Sequence, residues 1–435
     1  MGKGTLHAGE QPMKKSKNAS ARICAALLGV LLLCMPAMQL IGCTVSAQAI
    51  DLTEGIQRGT AYASSLTDAE NAAAVDFAVR LFQNTVQDGE TLLLSPFSVL
   101  CALGMTANGA QGETLSQTEA VLGMKKEALN SYLLGWQTHL SQGERTQLHL
   151  ANSVWLTADS RLTVNKSFLQ TNADYYGAGI YKAPFNDATC KSINAWVREK
   201  TNGMIPKIID AIPDNAAMYL VNALAFEAAW QEPYQKEQIA DGIFIKEDGT
   251  EQSSAFLHST EHVYLEDESA VGFAKYYQGG QYAFVALLPN EGVSLAEYIA
   301  SLRGDSLHAL LKQKNYAEVA AALPKFETQS APELSAVLRE MGMQNAFCEA
   351  ADFGALGHSD AGNIAIGRVL HKTFLSVAEQ GTKAGAASAV EMIDRAAPSP
   401  EEPKRVVLDR PFIYLLLDCK TAVPLFIGAM TDLLQ

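Results

Sequence analysis

Ala217–Phe226 reads Ala-Met-Tyr-Leu-Val-Asn-Ala-Leu-Ala-Phe, a run in which only Asn222 is polar. An amphipathic helix would show a polar stripe at helical spacing, and a half-buried strand would alternate with a period of two. Neither pattern is present. The run therefore reads as a strand covered on both faces, which requires a central sheet with further layers above and below it. Asn222 inside such a strand needs partners, because an unsatisfied buried amide costs ~1–3 kcal/mol.

The rest of the chain supplies the layers. Gln147–Leu156, Phe284–Leu288, Glu318–Pro324, Leu370–Val377, Phe412–Leu417 and Leu425–Met430 read as further strands, so the end of the chain is core. Thr67, with Glu70 three residues on, has the capping-box pattern, and Ala74, Phe77, Ala78, Leu81 and Phe82 follow at helical spacing. Ser95 and Ser98 are capping candidates ahead of an apolar helix from Val99 to Met105. Cys190, Ile193, Trp196 and Val197 share one helical face, and Asn202-Gly203 stops that helix. Helices and strands mix without strict alternation, an α+β pattern. From Thr67 the patterning continues for nearly the whole chain, without linker or fixed-period repeat. That exceeds the usual ~100–200 residues of one domain and implies one large fold or two tightly fused halves.

The first 42 residues are read as a leader. Lys14, Lys15, Lys17 and Arg22 precede the apolar run Ile23–Leu33, and Leu40-Ile41-Gly42-Cys43 follows. The tetrad resembles a bacterial lipobox, in which Cys43 would carry the lipid. A competing cut for ordinary signal peptidase lies at Ala47-Gln48-Ala49. Residues 43–66 are polar and aperiodic and read as a flexible tether. The leader holds five of the 33 Lys and Arg and one of the 47 Asp and Glu, leaving 28 against 46 and a net charge near −18. Such a surface repels polyanions, so nucleic acid is not expected as a partner. Cys101, Cys190, Cys348 and Cys419 lack CxxC or metal-ligand spacing, and three lie in apolar surroundings, which reads as buried free thiols and no disulfide framework.

Enzyme signatures are missing: the sequence has no GxSxG elbow, SxxK, HExxH or Walker loop. A triad assembled from distant positions is not visible to such a scan. The unusual segment is Glu379–Ala389, Glu-Gln-Gly-Thr-Lys-Ala-Gly-Ala-Ala-Ser-Ala. It has no apolar stripe for a packed helix. Its small alternate residues suit a strand sliding into an existing sheet without colliding with the core, or else a mobile surface loop.

Taken in order, several stretches together resemble the serpin superfamily from about Asp68 to Gln435. They are Leu94-Ser95-Pro96-Phe97-Ser98, Asn152-Ser153-Val154-Trp155-Leu156, Asn194-Ala195-Trp196-Val197 with Thr201-Asn202-Gly203, and Asn222 through Phe226. Trp230 to Pro233-Tyr234, Leu323-Pro324-Lys325-Phe326, and Met341-Gly342-Met343 with Ala346-Phe347 and Asp352-Phe353 come next, and His371-Lys372 to Glu379-Gln380-Gly381-Thr382, Arg410-Pro411-Phe412 and Pro424-Leu425-Phe426-Ile427-Gly428 complete the series. The resemblance implies a serpin fold over residues 67–435: three β-sheets, about eight to nine helices and an exposed reactive-centre loop at about 379–408. It implies an irreversible inhibitor, a monomer that traps serine proteases in a covalent 1:1 complex, with no catalytic residue, cofactor or metal of its own. An inhibitor of this kind from a bacterium would be secreted, or held outside the cell by a lipid on Cys43.

Within that likeness, Glu379, Gly381, Thr382, Ala384, Ala386 and Ser388 form the hinge. Gly381 allows the bend and Thr382 is the first side chain that must enter the sheet, with Ala384, Ala386 and Ser388 small on its face. Ser95, Ser98, Asn222 and His371 would form a polar cluster under the central strands. Counting seventeen residues with Glu379 as the first places the bait bond at Arg395-Ala396, suited to a trypsin-like pocket. Counting back from Pro411 moves the bond towards Pro400, and Val390, Met392, Ile393, Ala396 and Ala397 would suit elastase- or subtilisin-like pockets. A serpin fold that binds without inhibiting remains the rival reading.

Overall fold

The computed structural model describes residues 49–140, 146–177, 179–212, 217–313, 315–360, 362–382 and 402–433. Nine α-helices occur among the described residues: α1 (Asp68–Thr85), α2 (Pro96–Ala107), α3 (Gly112–Leu122), α4 (Lys126–His139) and α5 (Lys166–Tyr175), then α6 (Asp187–Lys200), α7 (Leu295–Ser301), α8 (Gly304–Lys312) and α9 (Ser335–Glu340). The first strands are β1 (Ile50–Asp51), β2 (Leu92–Leu94), β3 (Thr146–Thr157), β4 (Leu162–Val164), β5 (Gly179–Ala183) and β6 (Met218–Ala229). They are followed by β7 (Ile239–Ile245), β8 (Glu251–Glu266), β9 (Ala270–Tyr276), β10 (Tyr282–Pro289), β11 (Asn315–Pro324) and β12 (Phe326–Ser330). The last are β13 (Gly357–Ser359), β14 (Arg368–Ala378), β15 (Gly381–Thr382), β16 (Lys404–Val407), β17 (Phe412–Asp418) and β18 (Val423–Met430).

Three sheets result. One has seven strands in the order β1-β5-β3-β6-β15-β14-β12, and β6 also pairs directly with β14. A second has nine strands, β16-β11-β8-β9-β10-β17-β18-β2, with β7 on the flank of β8. The third is the pair β13-β4. The mixed α+β architecture with three sheets is the one the resemblance implied.

The apolar run of β6 is explained by its place. Leu220, Leu224 and Phe226 face the main core, whereas Tyr219, Val221 and Ala223 face a second core with Ile193 and Val197 of α6. Successive side chains of a strand point to opposite faces, so both sets must be apolar when both faces are covered. Asn202 and Gly203, both at positive φ, end the stretch after α6 as the sequence implied. At α1 the capping box forms: the Thr67 amide donates to Glu70 Oε2 at 2.8 Å, and the Thr67 hydroxyl accepts from the Glu70 amide. α2 is buried on all sides, so it is apolar all round, with Ser95 as its N-cap and Pro96 in the first turn.

Two expectations are corrected. Residues 43–66 were expected to be a flexible tether, yet from Ala49 onward this segment is docked. Ile50 and Asp51 pair antiparallel with Lys182 and Tyr181 of β5. The Leu52 amide donates to Ile180 O at 2.8 Å, the Gly59 amide to Asp174 Oδ1 at 2.7 Å, and the Ser64 amide to Ser131 O at 2.8 Å. Leu52, Ile56 and Leu66 pack against the core. Polarity concealed this, because the arm is held mainly through its backbone, which sequence patterning does not report. The far boundary of the loop also moves inward from 408: Lys404–Val407 is β16, paired with β11. Among the described residues no cysteine is in a disulfide: Cys101 and Cys190 are buried, Cys419 is half-buried, and Cys348 is exposed at the end of a short helical turn.

Candidate functional site

The site lies where β14 turns back into its own sheet. β14 ends at Ala378, Glu379 and Gln380 make the turn, and Gly381-Thr382 wedge between β6 and β14 as β15. Gly381 has φ +146°, and a Cβ there would lie 2.1 Å from Ala228 O. Only glycine fits such a position, because both the torsion and the contact exclude a side chain. Thr382 is fully buried, and its hydroxyl lies 2.6 Å from Tyr277 OH.

Aromatic and charged groups hold this turn from outside. Tyr277 stacks on Trp230 with ring centroids 4.3 Å apart, and Trp230 Nε1 donates to Ala378 O at 2.8 Å. The Trp230 amide donates to Gln380 O and the Tyr234 amide to Glu379 O. Lys325 Nζ donates to Glu379 Oε1 at 2.6 Å, and this bond to the ammonium holds the Glu379 carboxyl below its usual range. Behind Tyr234, buried Lys275 donates to Glu261 at 2.9 Å and sits 4.3 Å from the Tyr234 ring centroid. The pair keeps each buried ion compensated.

Below the wedge the sheet is closed. Residues Arg368–Phe374 of β14 pair directly with Tyr219–Ala225 of β6, with His371 opposite Asn222. Ser95, Ser98, Asn222 and His371 meet there, as expected from the likeness. Ser98 Oγ donates to Asn222 Oδ1 at 2.8 Å, and His371 Nδ1 lies 2.5 Å from the same oxygen. The Ser95 amide donates to His371 Nε2 at 3.0 Å. That bond leaves Nε2 without a proton, so Nδ1 carries it and donates to Asn222. Burial pushes the His371 pKa down to about 3, so the ring is neutral at ordinary pH.

Asn152 is a member that sequence reasoning missed. It stands opposite Asn222 on β3, and its Oδ1 accepts from Asn222 Nδ2 at 2.6 Å. Asn222 Nδ2 also donates to Ser98 O. One amide thus joins β3, β6, β14 and the start of α2. The register between two strands would have been needed to find Asn152. Trp230 and Lys325 stand in stretches that carry the resemblance but were not placed at the site, and Tyr277 was not singled out; only the fold brings the three to the turn. Ala384, Ala386, Ser388, Arg395, Ala396 and Cys43 lie outside the described residues.

Among the described residues there is no cluster of three or more His, Cys, Asp or Glu that could hold a metal. The arrangement is a strand end seated between β6 and β14, beside a seam in which those two strands pair directly with each other.

Comparison with known proteins gives the same frame. Residues 72–433 match the family described as serpin (serine protease inhibitor). An uncharacterised serpin-like protein of Thermococcus kodakarensis is 30% identical over 365 residues, spanning 82% of this chain and 84% of that protein. The crystal structure of the thermophilic serpin tengpin in its native state superposes with a TM-score of 0.85 at 42% identity, covering 89% of this chain and 100% of that one. Tengpin in its latent state superposes with 0.75 at 41% identity, covering 87% and 100%.

Proposed function

The chain belongs to the serpin family, and from that premise we propose that it is a suicide-substrate inhibitor of serine endopeptidases. One observation carries the reading: Gly381-Thr382 is already seated between β6 and β14, while those two strands still pair directly below it. Such a sheet has begun to accept the loop and has room, once the seam parts, for the rest. The higher likeness to native than to latent tengpin supports the same reading.

The proposed reaction uses the protease's own chemistry. The protease serine attacks the carbonyl carbon of Arg395, the bond to the Ala396 nitrogen breaks, and the new amine takes the proton. An ester remains. The freed loop then follows Thr382 into the slot, extending β15 between β6 and β14 and carrying the attached protease along. Inserted strand residues gain ladder bonds and burial that the intact loop cannot reach, and this pulls the protease out of its active geometry before water cleaves the ester. Lys325 and Glu379 hold the pivot, and the Asn222 cluster sets how readily the seam parts. Export, with a lipid on Cys43, is the localisation that the leader supports.

The test is a mixture of the mature protein with trypsin resolved in SDS. A stable 1:1 adduct is expected, and Arg395→Ala should abolish it. Loop cleavage without adduct would instead indicate a binding protein that has lost inhibition.

A further inference from the structure

The docked arm decides which pole of the molecule a membrane anchor can approach. Ile50 pairs with Lys182, Lys182 with Leu156, and Leu156 with Met218, so the arm joins the sheet level with the first residue of β6. Thr382 pairs with Ala228, ten residues further along β6. At about 3.3 Å per residue the hinge lies ~33 Å along the sheet from the arm. β1 is antiparallel to β5, which is parallel to β3, and β3 runs away from the hinge. The chain therefore reaches Ile50 from the pole opposite the hinge.

Six residues lie between Cys43 and Ile50, seven Cα-to-Cα steps in all. Fully extended they reach at most ~25 Å, less than the distance to the hinge, whichever way they fold. An undocked arm would behave differently. The 23 Cα-to-Cα steps from Cys43 to Leu66 could span up to ~80 Å and let any face meet the bilayer. Docking through Leu52, Gly59 and Ser64 removes that freedom.

We propose that on the anchored protein this arm keeps the β1 end of the sheet against the membrane and the hinge pole away from it. The bait then meets proteases diffusing in from the medium, not proteases embedded in the same bilayer. The inference rests on the lipid at Cys43. A lipoprotein anchor brings at least two acyl chains, enough for lasting attachment.

Fluorescence transfer to a rhodamine-labelled lipid tests it, with the processed full chain in phosphatidylcholine vesicles. Donors are placed through Ser160→Cys, in the exposed turn after β3, or Glu232→Cys, exposed just beyond β6 beside the hinge. Both are made with Cys348→Ser and Cys419→Ser. Strong quenching of the Ser160 donor and little of the Glu232 donor is expected. A Gly/Ser segment of about 20 residues inserted between Gln48 and Ala49 lengthens the leash by up to ~65 Å and should erase the difference. Equal quenching without the insert, on protein shown by mass spectrometry to carry lipid, overturns the orientation alone. Absence of lipid on Cys43 overturns the anchor and the orientation with it, and neither result touches the inhibitory reading.

Discussion

Thr382 shows how narrow the tolerance of the hinge is. Its side chain is wholly buried, its hydroxyl is satisfied by Tyr277, and Tyr277 is itself stacked on the buried Trp230, so a charge there would be shut away from the surface. An arginine there would be buried without a counter-ion, at a cost of order 3–5 kcal/mol. Thr382→Arg should therefore stop the loop at its first inward residue. Trypsin should still cut the loop at an unchanged rate, but the SDS-stable adduct should fall to a small fraction of the wild-type yield. An undiminished yield would contradict insertion through this slot. Gly381 is equally constrained but for a backbone reason, since the Ala228 carbonyl occupies the space of its missing side chain.

At the scale of elements, the proposed insertion requires the seam between β6 and β14 to open, and the burial of His371 in that seam should make the step sensitive to acid. Once the seam parts and the ring meets water, His371 takes up a proton near pH 6.5; in the closed seam it does so only near pH 3. Between those values the open form binds more protons, so closure loses stability as pH falls through this window and is unaffected above it. At pH 5 the loss is about 2 kcal/mol, a bias of roughly 30-fold. Inhibitory activity kept without protease should decay faster at pH 5 than at pH 7.5. His371→Gln, which has no proton to gain, should flatten that difference, measured as the ratio of the two decay rates. A wild-type rate that is the same at both values would remove His371 as the latch.

For the whole molecule, the proposal requires that the intact chain is not at its free-energy minimum. After cleavage the loop can become a full strand, pairing on both sides and burying its small face, so the cut protein should be the more stable one. A gain of several kcal/mol, at about 2–4 °C per kcal/mol for a large domain, predicts a Tm higher by ~10 °C or more. Scanning calorimetry before and after cutting with a protease that is not trapped would measure it. An unchanged Tm would mean that no such reserve exists. The bond that is cut does not matter to this test, provided it lies beyond the hinge.

Much of this was legible in the residues. β6 announced itself because both its faces are apolar, the α1 cap because Thr67 and Glu70 are three apart, and the Gly381 bend because few residues tolerate it. These are local features, governed by torsion, spacing and burial within one element. The serpin likeness then named the members of the polar cluster, Ser95, Ser98, Asn222 and His371, which do meet. What the residues did not disclose was every relation between distant strands. Asn152 faces Asn222 only through register, Tyr277 meets Thr382 only because β15 has entered the sheet, and the polar arm is fixed through backbone bonds to β5. Side-chain chemistry writes the elements and their faces; which backbone groups pair across the sheet depends on the packed chain as a whole, and only the tertiary structure decided it.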